Sequence, residues 1–225
     1  MDISDAKKKM DGIAGKFASI IQSSNYYIGG DTISWSPYRP GIDKYLAYAR
    51  EYERLLNDRQ FSFLLIDDSF IQFYYKWDEK GLEKARLAYY PKPLKVVENK
   101  EELLDFLEEN ETDALMEFYF GAVDWMESGV DIVNTSHVRL DFDRDVEAHS
   151  SCHLQLGAIN DLRIASSDLI NPVIFWHWIL RQVMREEYSP MLASNIVEKF
   201  LKYEFSRSVL KFSHGDEISL IQSCT

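Results

Sequence analysis

A chain of 225 residues, 46% of them hydrophobic, can bury a large core without disulfides or metals, and its two cysteines, Cys152 and Cys224, read as reduced thiols. The net charge of −12 argues against non-specific binding to phosphate backbones, and the longest nearly uncharged run, Leu169–Leu180, is too short to span a bilayer. Met1-Asp2-Ile3-Ser4-Asp5 lacks the layout of a secretory signal, so a cytoplasmic protein without membrane contact is expected.

Residues 4–22 carry Met10, Ile13, Phe17, Ile20 and Ile21 at helical spacing, with Ser4 or Asp5 as cap. Gly29-Gly30, Pro37 and Pro40 mark a loop, and a second helix is expected over 42–56. A meander follows over 61–97. Phe61–Ile66 is nearly continuous apolar strand, Asp67-Asp68-Ser69 turns the chain, and Phe70–Trp77 returns with alternating residues on one face. Asp78-Glu79-Lys80-Gly81 has the composition of a hairpin turn into Leu82–Tyr90, and a short strand covers Leu94–Val97.

Charge is concentrated next. Residues 61–150 hold 9 basic and 21 acidic side chains, and Glu98–Asp131 alone holds twelve acids and one base, Lys100. Asn99 and Glu102 form a capping box for an acidic helical segment over 99–128. Such a surface suits a protein partner with a basic face, or simply keeps the protein soluble.

Two alternating stretches lie beyond it, within 136–164. In His137-Val138-Arg139-Leu140-Asp141-Phe142-Asp143, the apolar residues face a core, and His137, Arg139, Asp141 and Asp143 share the other face. In Cys152-His153-Leu154-Gln155-Leu156-Gly157, Leu154 and Leu156 point inward, and His153 and Gln155 join the polar side. A third strand, Asp161–Ile164, adds Arg163 to that side. C-terminal helices cover 171–210: Asn171-Pro172 opens an apolar helix through Val183, and Ser189-Pro190 opens a last one to about Leu210. The whole reads as one α+β domain over 1–225, a mainly antiparallel sheet of six to seven strands covered by helices from both ends of the chain.

The polar sheet face is where chemistry could be assembled. Metal-independent phosphodiester cleavage needs a base, an acid and cations for the developing charge. His149 and His153 fit the first two roles, and Arg139 and Arg163 the third. His137, Asp141, Asp143 and Gln155 complete a ligand-reading face, or else a set of cross-strand ion pairs. His149 and His153 have metal-like spacing, but alternation turns Cys152 away from His153, and no zinc site is expected. Asp141, Asp143 and Glu147 as a Mg²⁺ site are better read as a solvated acidic hairpin. His177, inside Phe175-Trp176-His177-Trp178, reads as a hydrogen-bonded core histidine. With no Gly-rich phosphate loop, nucleophile elbow or H-E-x-x-H motif, no cofactor is expected.

The run Asn134–Asp143, then His149 through Cys152-His153-Leu154-Gln155-Leu156, then Asn160-Asp161-Leu162-Arg163-Ile164, resembles a prokaryotic family catalogued only as a domain of unknown function, the twenty-two-ninety family. The meander Phe63–Trp77 and Ala85-Arg86-Leu87-Ala88-Tyr89-Tyr90-Pro91 resemble it too, and the likeness extends over roughly residues 10–210. Ala165 stands where that pattern leads one to expect proline. The resemblance implies a setting in phage defence or toxin–antitoxin systems and no mechanism. Two functions are therefore expected. The first is an accessory or regulatory interaction protein that meets a basic partner through its acidic surface. The alternative is a ribonuclease-like effector, to which nucleic acid comes only as substrate.

Overall fold

The computed structural model describes residues 1–39, 46–96, 130–147, 150–157, 163–206 and 209–211. In chain order the elements are α1 (Ile3–Lys16), β1 (Ile21–Ser24), β2 (Tyr26–Gly29), β3 (Thr32–Trp35), α2 (Tyr48–Asn57), β4 (Phe63–Leu65), β5 (Phe70–Asp78) and β6 (Gly81–Tyr90). Then come β7 (Leu94–Val96), β8 (Val130–Ile132), β9 (Val138–Asp143), β10 (Cys152–Leu156), β11 (Arg163–Ala165), β12 (Asp168–Ile170), α3 (Pro172–Val183), α4 (Arg185–Leu192), α5 (Asn195–Ser206) and β13 (Val209–Lys211).

The alternation in Phe70–Trp77 makes β5 the organising strand of a nine-stranded sheet in which every pairing is antiparallel. The main path runs β1-β4-β5-β6-β9-β10-β11. The β2–β3 hairpin joins beside the far half of β5, pairing Ile33 with Tyr75. At the β5–β6 turn the Asp78 carboxylate accepts from the Lys80 N–H at 2.8 Å, and Gly81 takes φ +110°, a conformation side-chain-bearing residues avoid.

One sheet face packs under helices from both ends of the chain. Ile71, Phe73 and Tyr75 of β5, Ala85 and Leu87 of β6, and Leu140 and Phe142 of β9 meet Met10, Ile13 and Phe17 of α1 and Phe175, Trp176 and Leu180 of α3. This is an α+β fold. Lys9 and Glu204, both buried, pair at 3.0 Å and tie α1 to α5. Among the described residues, the opposite face is covered at one end, where Tyr48, Tyr52 and Leu55 of α2 pack on Phe70, Ala88 and Tyr90.

Several expectations need correction. The first helix stops at Lys16 instead of residue 22, and its cap is Asp2, whose carboxylate accepts from the Asp5 N–H. A short 3-10 turn, Ala18–Ile20, then leads directly into β1, because Ile20 and Ile21 serve the core as well from a turn and a strand as from a helix. The loop read around Gly29-Gly30 is the turn of a β2–β3 hairpin. Leu154 and Leu156 are half-buried, since they lie near the sheet's edge. Pro190 sits inside α4 instead of opening a helix, and the chain breaks at Ala193-Ser194 before α5. Residues 209–211 are strand β13, paired with β12. The acidic stretch 99–128 lies outside the described residues apart from its flanking strands, as does His149.

The start of α3 agrees with expectation. Asn171 Oδ1 accepts from the N–H groups of Val173 (2.8 Å) and Ile174 (3.0 Å), and Pro172 occupies the first helical turn. Asn171→Ala is expected to lower stability by about 1 kcal/mol, read as a drop in the urea midpoint. An unchanged midpoint would show that the helix starts without its cap.

Candidate functional site

Strand register on the partly uncovered face fixes which side chains can meet. One cross-strand row reads Arg86, Asp141, His153 and Ala165; the next reads Ala88, Arg139, Gln155 and Arg163. Directly opposed residues on antiparallel strands have Cβ atoms about 5 Å apart, so the rows place arginines, a carboxylate and an imidazole in one array. Ala88 is small and fully buried, which leaves the space over its neighbour's row to the Arg139 side chain.

Asp141 lies at the middle of the array. Its Oδ2 accepts from Arg139 Nε at 2.6 Å and its Oδ1 from Arg86 Nε at 3.2 Å. Arg139 Nη2 also donates to Gln155 Oε1 at 2.6 Å, and Gln155 Nε2 donates to the Gly157 carbonyl at 3.3 Å. His153 Nε2 stands 3.9 Å from Asp141 Oδ2, close enough for a small ring adjustment to make a hydrogen bond. Burial works against the Arg86 charge, but Asp141 outweighs it and pushes the guanidinium pKa above its ordinary value. Beside this group Lys84 Nζ pairs with Asp143 Oδ2 at 2.9 Å.

Aromatic side chains form the second wall. Tyr38 stacks on Tyr74 with ring centroids 5.2 Å apart and an interplanar angle of 22°, and Trp35 meets Tyr38 edge-on at 5.5 Å. The buried Gln60 fastens this wall. Its Oε1 accepts from Trp35 Nε1 (2.8 Å) and the Arg39 N–H (2.9 Å), and its Nε2 donates to the Pro37 carbonyl (2.7 Å). Between the walls lies a cleft of about 350 Å³. Its lining holds four cations, Lys84, Arg86, Arg139 and Arg163, against two carboxylates, Asp141 and Asp143. Arg163 is exposed on the edge strand β11 and forms no ion pair among the described residues.

A family model described as an uncharacterized conserved protein (DUF2290) matches residues 17–216. The chain belongs to this family. Neither the curated proteins nor the solved structures give a match. The DUF2290 match takes in every residue of the cleft, from Trp35 on β3 to Arg163 on β11.

Within this DUF2290 fold, the cleft brings together Arg139, Asp141, Asp143, His153, Gln155 and Arg163 from the sequence-derived set. His137 shares the strand face but is fully buried one row further on, against Glu51 of α2, so it cannot meet a ligand in the cleft. Cys152 points into the core, opposite His153, so the two cannot share a metal. His177 hydrogen-bonds through Nδ1 to the Tyr188 hydroxyl at 3.0 Å. Sequence reasoning missed Arg86 and the aromatic wall. The alternation Lys84, Arg86, Ala88 along β6 was a usable signal for Arg86; nothing local marks Trp35 or Tyr38.

Proposed function

We propose that the protein is an RNA-directed effector that seats one nucleotide of a single strand in the sheet-face cleft and cleaves its phosphodiester without metal. The observation that carries this reading is the cationic row of Arg139, Gln155 and Arg163 facing the stacked Tyr38–Tyr74 pair. Cations along one wall and aromatic rings on the other are what a phosphate and its base require, and base–aromatic stacking tolerates any sequence. The chain's overall acidity works against non-specific RNA attraction elsewhere on its surface.

In this reading His153 takes the proton of the ribose 2′-hydroxyl, which attacks the adjacent phosphorus. Arg139 and Arg163 meet the charge gathering on the phosphoryl oxygens. The 5′-oxygen leaves with a proton from His149, which lies outside the described residues; this reverses the order of base and acid expected for the pair from sequence. Asp141, whose Oδ2 stands 3.9 Å from His153 Nε2, accompanies the positive charge that the imidazole gains.

The test combines binding and cleavage. A short single-stranded RNA is expected to change Trp35 fluorescence saturably, an effect lost in Trp35→Phe. Cleavage of that RNA in EDTA is expected to fall about 100-fold or more in His153→Ala, with affinity kept within about threefold. Absence of saturable binding overturns the reading. Binding without cleavage, with or without Mg²⁺, overturns its catalytic half and leaves recognition.

A second reading rests on the twelve acids and one base of Glu98–Asp131. It makes the protein an accessory or regulatory subunit of a phage-defence or toxin–antitoxin system that holds a basic protein partner. Its expected result is salt-sensitive capture of that partner with no RNA cleavage.

A further inference from the structure

We infer that the hollow between α3 and α4 is a second anion site, one that takes a phosphoryl group. It measures about 640 Å³ and is lined by His177, Arg181, Gln182, Arg185, Ser189 and Leu192. Five of these six side chains offer hydrogen-bond donors and none is a carboxylate. That composition stands out in a chain of net charge −12.

Arg185 is placed here against local preference. The chain leaves helical geometry at Met184 (φ −121°, ψ 49°), and Arg181 and Arg185 lie on either side of that break. Arg185 opens α4, whose positive dipole end disfavours a cation. Neither arginine forms an ion pair among the described residues, whereas Arg86 and Arg139 close on Asp141. A bound dianion would relieve that cost and accept from two guanidinium forks.

His177 is set to donate into the same hollow. Burial, and after it the Arg181 charge, holds its pKa below the ordinary histidine value, so the ring is neutral near pH 7. Burial pushes the Tyr188 phenol well above its ordinary value, so its O–H is present to donate to His177 Nδ1. With that O–H as the donor, Nδ1 accepts and Nε2 carries the hydrogen. Together with the Ser189 hydroxyl and the Gln182 amide, this gives more donors than a carboxylate can use and suits the several oxygens of a phosphoryl group.

Inorganic pyrophosphate titrated into the full chain tests the site, followed through the side-chain Nε–H resonances of Arg181 and Arg185. Saturable shifts with a dissociation constant of about 1 mM or tighter are expected. Affinity is expected to fall at least about tenfold in Arg181→Ala/Arg185→Ala. It should fall less in Arg181→Lys/Arg185→Lys, which keeps the charge and loses the forks. Both arginines are exposed, so neither variant threatens the core. Lys202→Ala removes an equally exposed positive charge on α5 and should leave binding unchanged. Unmoved resonances at millimolar pyrophosphate, or wild-type affinity in the alanine variant, overturn the site; equal binding of citrate overturns the phosphoryl assignment. RNA binding at the sheet face is read separately through Trp35, so either proposal can fail alone.

Discussion

Glu51→Leu is expected to cost about 3 kcal/mol of stability, and adding His137→Leu is expected to return most of that loss. Glu51 is 1% exposed and His137 0%, with Oε1 and Nδ1 3.5 Å apart. Among the described residues, both carboxylate oxygens and both ring nitrogens are buried without a hydrogen bond, and the neighbouring Tyr90 hydroxyl shares that state. The two groups face each other, so removing one strands the other in the apolar layer between α2 and the sheet. Two leucines there would extend the cluster of Tyr48, Tyr52, Leu55 and Phe70. A double-mutant cycle on urea midpoints measures the coupling. Single losses that simply add would show that the two residues do not depend on each other.

Trp176→Ala is expected to cost about 3–5 kcal/mol, the range for a large buried aromatic. The indole is fully buried where α3 meets α1 and the sheet, 5.6 Å from the Phe17 ring and 5.4 Å from that of Phe63. Its removal opens a void that three elements share and cannot easily close. In a protein of this size the melting temperature should fall by roughly 6–20 °C. Trp176→Phe should cost far less, because it keeps the ring contacts and deletes an indole N–H that is buried without a partner among the described residues. Equal losses from the two substitutions would mean that the shape of the indole, and not the filled volume, holds the layers together.

The features legible in the sequence were those in which pattern and punctuation agreed. Phe70–Asp78 and Gly81–Tyr90 alternate on either side of a turn whose glycine takes a positive φ, and Asn171-Pro172 caps and starts α3 as its chemistry dictates. The polar rows of β9 and β10 were legible for the same reason, since a period of two allows only one sorting of Arg139, Asp141, His153 and Gln155. What escaped was short or distant. β1, β2 and β3 have four residues each, too few for a period to show, and Ile20-Ile21 continues a helical stripe equally well. Pro190 looked like a helix start, yet an eight-residue helix carries it past its midpoint. The meeting of Glu51 with His137 and the approach of Trp35 and Tyr38 to Arg139 depend on which faces the sheet leaves open for α2 and the loop after β3. Local pattern holds no record of that.

The small β7–β8 ladder, pairing Leu94 with Ile132 and Val96 with Val130, has a topological consequence. The chain leaves for its acidic excursion after Val96 and comes back at Val130, and these two residues are partners in one ladder. A short turn spliced from Val96 to Val130 would therefore excise the charge-dense stretch without rethreading β6 or β9. Capture of a partner and turnover of RNA could then be assigned to different parts of one polypeptide.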